Sequence, residues 1–293
     1  MSSNNSVIEF TNRLFQKEKI VMTSVRPAAV AGLFYPGDAG QLRREISTLL
    51  RTAAEAQPAN ASATVPKAII VPHAGYLYSA AIAASAYARL LPARRSIRRV
   101  VLLGPVHRVW VAGLALPGVD FFATPLGRVP IDSQAVEILH QLPQIETLPA
   151  AHRQEHSLEV HLPFLQAVLD DFSLVPLAVG GASPEAVAEV LDLLWGSAET
   201  LIVISSDLSH YLPYRQAQHT DQATVDAILA FDTTLHGEQA CGAHPINGLL
   251  QTARRRGLQA ELLDLRNSGD TAGDKDRVVG YAAIAFTEAD HVD

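Results

Sequence analysis

The amino-acid sequence predicts a single α/β domain with a largely parallel central sheet flanked by helices. Three observations carry this expectation. Four short apolar runs, Ala68-Ile69-Ile70-Val71, Val100-Val101-Leu102-Leu103, Leu174 to Val179 and Leu201 to Ile204, lack polar alternation, the pattern of strands buried on both faces. Segments with helical periodicity or helix-forming composition separate them. Several of the runs lead into polar, ligand-type residues: His73, His107 and the stretch Ser205-Ser206-Asp207-Leu208-Ser209-His210. In parallel sheets ligands bind beyond the carboxyl ends of the strands, so these residues stand where chemistry is expected.

Taken in order, residues 1–25 are expected to form a flexible N-terminal tail, 26–287 the folded domain and 288–293 a C-terminal tail. Met22, just before the first folded segment, is a candidate for the true start of the chain. Arg26 through Pro36 reads as an irregular apolar approach, followed by a helix with Leu42, Ile46, Leu49 and Leu50 on one face. Residues 52–66 read as a connector. After the first strand, Ser79 to Leu90 is an alanine-rich helix suited to close packing. The second strand runs through Gly104-Pro105-Val106 into His107, and Gly113 to Asp132 suggests shorter irregular strands with turns. Glu155 to Pro163 leads into a helix that Pro163 either caps or kinks. The third strand ends at Gly180-Gly181, and Ser183-Pro184 supplies an N-cap and first-turn proline for a helix bearing Val187, Val190, Leu191 and Leu194. Thr220 to Asp232 is helical, and Cys241-Gly242-Ala243-His244-Pro245 precedes a helix with Ile246, Leu249, Leu250 and Ala253 as its buried stripe. Glu261 to Leu265 and Val278 to Phe286 read as closing strands around a polar loop.

Composition narrows the function. The 293 residues, 48% of them hydrophobic, suffice for a substantial core. A formal charge of -7 argues against direct nucleic-acid binding, which needs a clustered basic surface. Arg94, Arg95, Arg98 and Arg99 do cluster, but between a helix and a strand, as a solvated connection would; Arg254-Arg255-Arg256 before Gly257 reads as a helix C-terminus. One cysteine excludes an internal disulfide, no apolar run reaches bilayer length and no secretory signal pattern is present, so a cytoplasmic location without membrane partners is expected.

Eleven histidines beside a single cysteine direct attention to metal chemistry. His73 and His107, at the ends of two neighbouring parallel strands, are read as metal ligands. Cys241 at a helix mouth, where the backbone dipole favours the thiolate, admits three readings: metal ligand, small buried hydrophobe or nucleophile. Asp207 and His210 pair a carboxylate with a proton-transfer histidine, and they also fit an N-cap and first-turn residue. His156 and His161 lie five apart, which does not align them on one helix face, so they are not read as a dedicated metal pair. His156, Glu159 and His244 are instead assigned to the pocket wall. His140, His152, His219, His236 and His291 are assigned to the surface.

With these residues collected, the chain resembles the Memo family. The motifs are Pro72-His73-Ala74-Gly75-Tyr76, Leu103-Gly104-Pro105-Val106-His107, Glu155 to Pro163, Ser205 to His210 and Cys241 to Pro245, with Asn267-Ser268-Gly269-Asp270 and Gly280-Tyr281-Ala282-Ala283 near the end. The resemblance implies a fold similar to class III extradiol dioxygenases, which hold non-haem Fe(II) at one end of the sheet. It implies His73, His107 and Cys241 as metal ligands, with Asp207 and His210 lining the pocket and His210 as acid/base. Two histidines and a thiolate depart from the two histidines and a carboxylate of those enzymes, and suit copper or zinc as well as iron.

The expected function is therefore that of a metal-binding, oxidoreductase-like protein with Fe(II), copper or zinc as cofactor and a small molecule or peptide as ligand. The alternatives are a non-catalytic binding or adaptor protein on the same fold, which the signalling roles of animal relatives suggest, and a metal-dependent hydrolase using Asp207 or Glu159 as base. Because bacterial relatives are often encoded beside a radical-SAM protein, the resemblance also implies a functional association with one.

Overall fold

The computed structural model describes residues 23–57 and 64–288, so Met22, His291 and all but the ends of the expected tails lie outside the described residues. The strands are β1 (Val25–Arg26), β2 (Ala68–Val71), β3 (Arg99–Pro105), β4 (Leu114–Leu116), β5 (Phe121–Thr124), β6 (Gly127–Pro130), β7 (Ile145–Thr147), β8 (Ser173–Val179), β9 (Thr200–Ser205), β10 (His210–Leu212), β11 (Gln259–Asn267) and β12 (Val278–Thr287). The helices are α1 (Ala39–Ala56), α2 (Tyr76–Tyr87), α3 (Ser133–Leu139), α4 (Pro149–Arg153), α5 (Leu162–Val168), α6 (Pro184–Leu194), α7 (Tyr214–Leu229) and α8 (Ala243–Arg256).

The main sheet runs β10-β12-β2-β9-β3-β8-β4-β7, with β11 also paired to β12. Its centre, β2-β9-β3-β8, is parallel, and the predicted closing strands β11 and β12 flank it as an antiparallel pair. A smaller sheet, β1-β5-β6, includes two of the short strands expected between Gly113 and Asp132, paired as a hairpin. The unalternating apolar runs have the predicted cause. Ile69, Val71, Val100, Leu102, Leu201 and Val203 pack on one face with residues of α1, α2 and α5, while Ala68, Ile70, Val101, Leu103, Ile202 and Ile204 pack on the other with α6, α7 and α8. Each strand thus buries both of its faces.

Element ends differ from the sequence reading for local reasons. The first helix continues to Ala56 through residues expected as connector, as its alanines favour. α2 starts at Tyr76 rather than Ser79, because the Gly75 carbonyl accepts from Tyr78 and Ser79 while the Tyr76 N–H donates to Phe34 O at 2.7 Å. α7 begins at Tyr214 and stops at Leu229, where Phe231 adopts φ 56° and turns the chain. Pro163 occupies the first turn of α5, so it caps rather than kinks. The arginine cluster is a solvated connection with ion pairs: Arg94 and Arg95 meet Asp170, Arg98 meets Asp171 and Arg99 meets Asp132.

One surface assignment fails. His152 is 2% exposed, its Nε2–H donating to Ala115 O at 2.8 Å and its Nδ1 left without a partner. It closes the layer in which Arg26 Nε donates to the His152 carbonyl at 2.6 Å, a long-range partner that its sequence neighbours do not reveal. Burial, and then the Arg26 charge, push its pKa from 6.5 down to about 4, against the opposing Ala115 bond. The unfolded chain therefore binds a proton between these values that the native state does not. His152 contributes stability that is complete above pH 6.5 and is lost as pH falls towards 4. Thermal melts from pH 7 to 4.5 should show a falling midpoint, and His152→Asn should flatten that slope; an unchanged slope would contradict this assignment.

Candidate metal centre

Strand register brings the predicted residues to one edge. Val71 lies beside Ser205, and Leu103 beside Ile204, so β2, β9 and β3 end together. His73, Asp207 and His107 each stand two residues beyond their strand. Asp207 Oδ1 ties the loops by accepting the backbone N–H of His73 at 2.8 Å and of Ala74 at 3.3 Å. Cys241 reaches the same edge because its N–H donates to Asp207 O and the Gly242 N–H donates to Ser206 Oγ at 2.9 Å. A Cβ on Gly242 would sit 2.6 Å from Ser205 O, so only glycine permits this approach. Cys241 Sγ consequently lies 3.4 Å from His73 Nε2.

Three imidazoles meet here. The His73 and His107 ring centroids are 5.2 Å apart, His73 and His156 5.4 Å, and His107 and His156 4.6 Å. One nitrogen from each lies within 4.8 Å of the others, close enough to hold one metal ion. The rings grade from buried His73 through half-buried His156 to exposed His107, which opens the cluster to solvent.

Hydrogen bonding sets their tautomers. The single proton of Ser205 Oγ goes to Ser157 O at 2.6 Å, so Oγ accepts from His73 Nδ1–H at 2.7 Å and leaves His73 Nε2 bare. His107 Nδ1–H donates to Glu155 Oε1 at 2.8 Å, which leaves Nε2 as its nitrogen available to ligate. His210 spends its Nδ1–H on Leu208 O at 2.8 Å. Burial, followed by the neighbouring imidazoles, holds the His73 pKa far below its usual range. Burial likewise takes His156 to about 4 and lowers His210. Neutral imidazole with a bare nitrogen is the form that ligates metal.

Glu155 is the residue beside this cluster that motif reading gave no role. Its carboxylate accepts from the His107 ring, from His107 N–H at 2.7 Å, His156 N–H at 2.9 Å and Ser157 N–H at 3.0 Å. Burial raises its pKa, but these bonds outweigh that and hold it at about 2. One buried anion therefore orients His107 and the backbone of His156. The available signal was its position directly before His156. His156 itself joins the cluster rather than the pocket wall alone, because its partners come from other strands and not from the helix on which the five-residue spacing was tested.

Other candidates are placed differently. Glu159 is fully enclosed and spends its carboxylate on Arg26 Nη1 (2.6 Å), Ala29 N–H (2.7 Å), Val30 N–H (3.0 Å) and Tyr35 O–H (2.7 Å), so it braces the N-terminal approach and leaves no oxygen for a pocket. His244 is exposed, with Nδ1 at 2.8 Å from Ala182 O. His161 is buried against Tyr87 O–H at 3.0 Å, outside the cluster. Cys241 does not join the mutual nitrogen cluster, and burial together with the Asp207 charge pushes its thiol up to about 12, overriding the helix-mouth effect. Burial also raises Asp207 to about 7, against the His73 and Ala74 N–H bonds.

Among the described residues no helix is long and apolar enough to cross a membrane. The chain matches the family model described as Memo-like protein over residues 26–285. It is 38% identical over 279 residues to a MEMO1 family protein of Archaeoglobus fulgidus, covering 89% of this chain and 99% of that one. It is 35% identical over 275 residues to a MEMO1 family protein of Aquifex aeolicus, with 89% and 99% covered, and 34% identical over 283 residues to one of Ignicoccus hospitalis, with 89% and 98% covered. The family match runs through every strand that delivers a residue to the histidine cluster, and the chain belongs to the Memo family.

Proposed function

We propose that this protein is a metal-dependent, oxidoreductase-like protein whose cofactor is Fe(II). The observation that carries this reading is the convergence of three imidazoles, two with Nδ1–H committed to Ser205 and Glu155 so that Nε2 is the nitrogen left to ligate. That donor set fits a borderline transition metal, and copper and zinc share the preference for imidazole and thiolate. His73 and His107 would hold the ion. His156 and Cys241 are the adjacent candidates for further ligation, the thiol giving up its proton on binding. A bound metal would supply Lewis-acid or redox chemistry to an oxygen-bearing small molecule or peptide group. In this reading His210, with Nδ1–H tied to Leu208 O, offers its other nitrogen to move protons, and Asp207 holds the His73 loop in place.

A second reading, a binding protein on this fold, draws support from exposed Leu77, Trp110 and Tyr211, each within four residues of His73, His107 or His210. The hydrolase alternative loses Glu159 as a base and keeps Asp207. Purification under anaerobic conditions followed by elemental analysis should find stoichiometric iron, and a catechol-type turnover screen should give activity lost in both His107→Ala and Cys241→Ala. Protein that retains no transition metal removes the proposal; full partner binding by both variants, with no turnover in any form, favours the binding protein.

A further inference from the structure

At the opposite end of the sheet the structure holds a cavity of about 440 Å³. It lies where Asp170–Phe172 lead into the first residue of β8, one strand length from the histidines, or about 20 Å for seven residues. Its walls come from three elements. α1 contributes Arg43 and Ser47, which are one helical turn apart and so share a face; the β5–β6 hairpin contributes Arg128; α5 and the segment after it contribute Gln166, Leu169 and Phe172.

The charges are unevenly satisfied. Asp170 and Asp171 also line the cavity, but Asp170 is paired with Arg94 at 2.5 Å and Arg95 at 3.5 Å, and Asp171 with Arg98 at 3.3 Å. Gln166 is committed as well, its Oε1 accepting from Thr124 O–H at 2.6 Å. The side chains of Arg43 and Arg128 have no hydrogen-bond or ion-pair partner among the described residues. Two guanidinium groups thus line an otherwise neutralised cavity that also presents apolar wall from Leu126, Val129, Leu169 and Phe172. Guanidinium forks match carboxylate and phosphate oxygens, and the apolar wall suits a hydrocarbon body.

We propose that this cavity binds a small organic anion, a carboxylate or phosphate monoester carried on an apolar group, at a site separate from the metal centre. Its occupancy does not depend on the metal reading. Full-length, isotope-labelled protein titrated with phenyl phosphate, benzoate and the neutral control benzyl alcohol provides the test, read by amide chemical shifts. Phenyl phosphate or benzoate should cause saturable shifts in residues 43–47, 121–130 and 166–172, weakened by salt. Whichever anion binds identifies the head group. The double variant Arg43→Gln, Arg128→Gln should lose about tenfold or more in affinity while its unliganded spectrum stays native. The proposal is overturned if neither anion shifts this region, if shifts are confined to the histidine end, if benzyl alcohol binds equally well, or if the folded double variant binds as tightly as the unchanged protein.

Discussion

Glu159→Ala should lower the stability of this protein by roughly 3–5 kcal/mol, the range for breaking one side of a buried ion pair. Arg26 and Glu159 are 5% and 0% exposed and 2.6 Å apart. Removing the carboxylate leaves the Arg26 charge in the interior. Its Nε and Nη2 remain bonded to His152 O and Glu155 O, both at 2.6 Å, but carbonyl dipoles do not neutralise it. The Ala29 and Val30 amides and the Tyr35 hydroxyl lose their acceptor in the same step. Each unsatisfied buried donor adds a cost of its own. The thermal midpoint should fall on the order of 10 °C. Glu159→Gln keeps one acceptor oxygen and should fall less, while Glu159→Ala paired with Arg26→Met should recover part of the loss. An Ala variant that melts within a degree or two of the unchanged protein would show that the network is not a structural brace.

The contrast between Glu155 and Glu159 shows how much the sequence revealed. Strand positions were legible because burial on both faces leaves runs such as Ile69-Ile70-Val71 with no polar alternation, a purely local signature. The gathering of His73, His107 and Asp207 followed from it, since parallel strands end at one edge. Which neighbouring glutamate serves the site was not legible. Both lie in one short segment, and their roles separate only through partners far along the chain: Glu155 meets His107 and Glu159 meets Arg26, 133 residues away. Cys241 was placed beside the site by the family resemblance, its helix-mouth position having left ligand, buried hydrophobe and nucleophile open. Its proton affinity was not legible, because that depends on enclosure and on the Asp207 charge rather than on the helix it precedes.

His107→Ala should abolish metal retention through gel filtration, and Glu155→Gln should weaken affinity by about 10–100-fold without removing a ligand. The two substitutions act on successive links of one chain. Alanine deletes the imidazole. Glutamine keeps the size of the glutamate side chain but presents two N–H donors where the carboxylate accepts from the His107 ring and from the His107, His156 and Ser157 amides. Whichever way the amide lies, a donor faces a donor. The ring loses the acceptor that holds its Nδ1–H and with it the orientation of Nε2. Competition against a chelator of known affinity gives the ratio between variants, and thermal melts run in parallel measure any loss of the loop structure. Glu155→Asp keeps the charge on a shorter arm, and partial recovery with it would identify orientation of His107 as the cause. If Glu155→Gln melts lower but competes for metal as well as the unchanged protein, then Glu155 only ties the segment from His156 to Ser157 in place and the imidazole is held by its other surroundings.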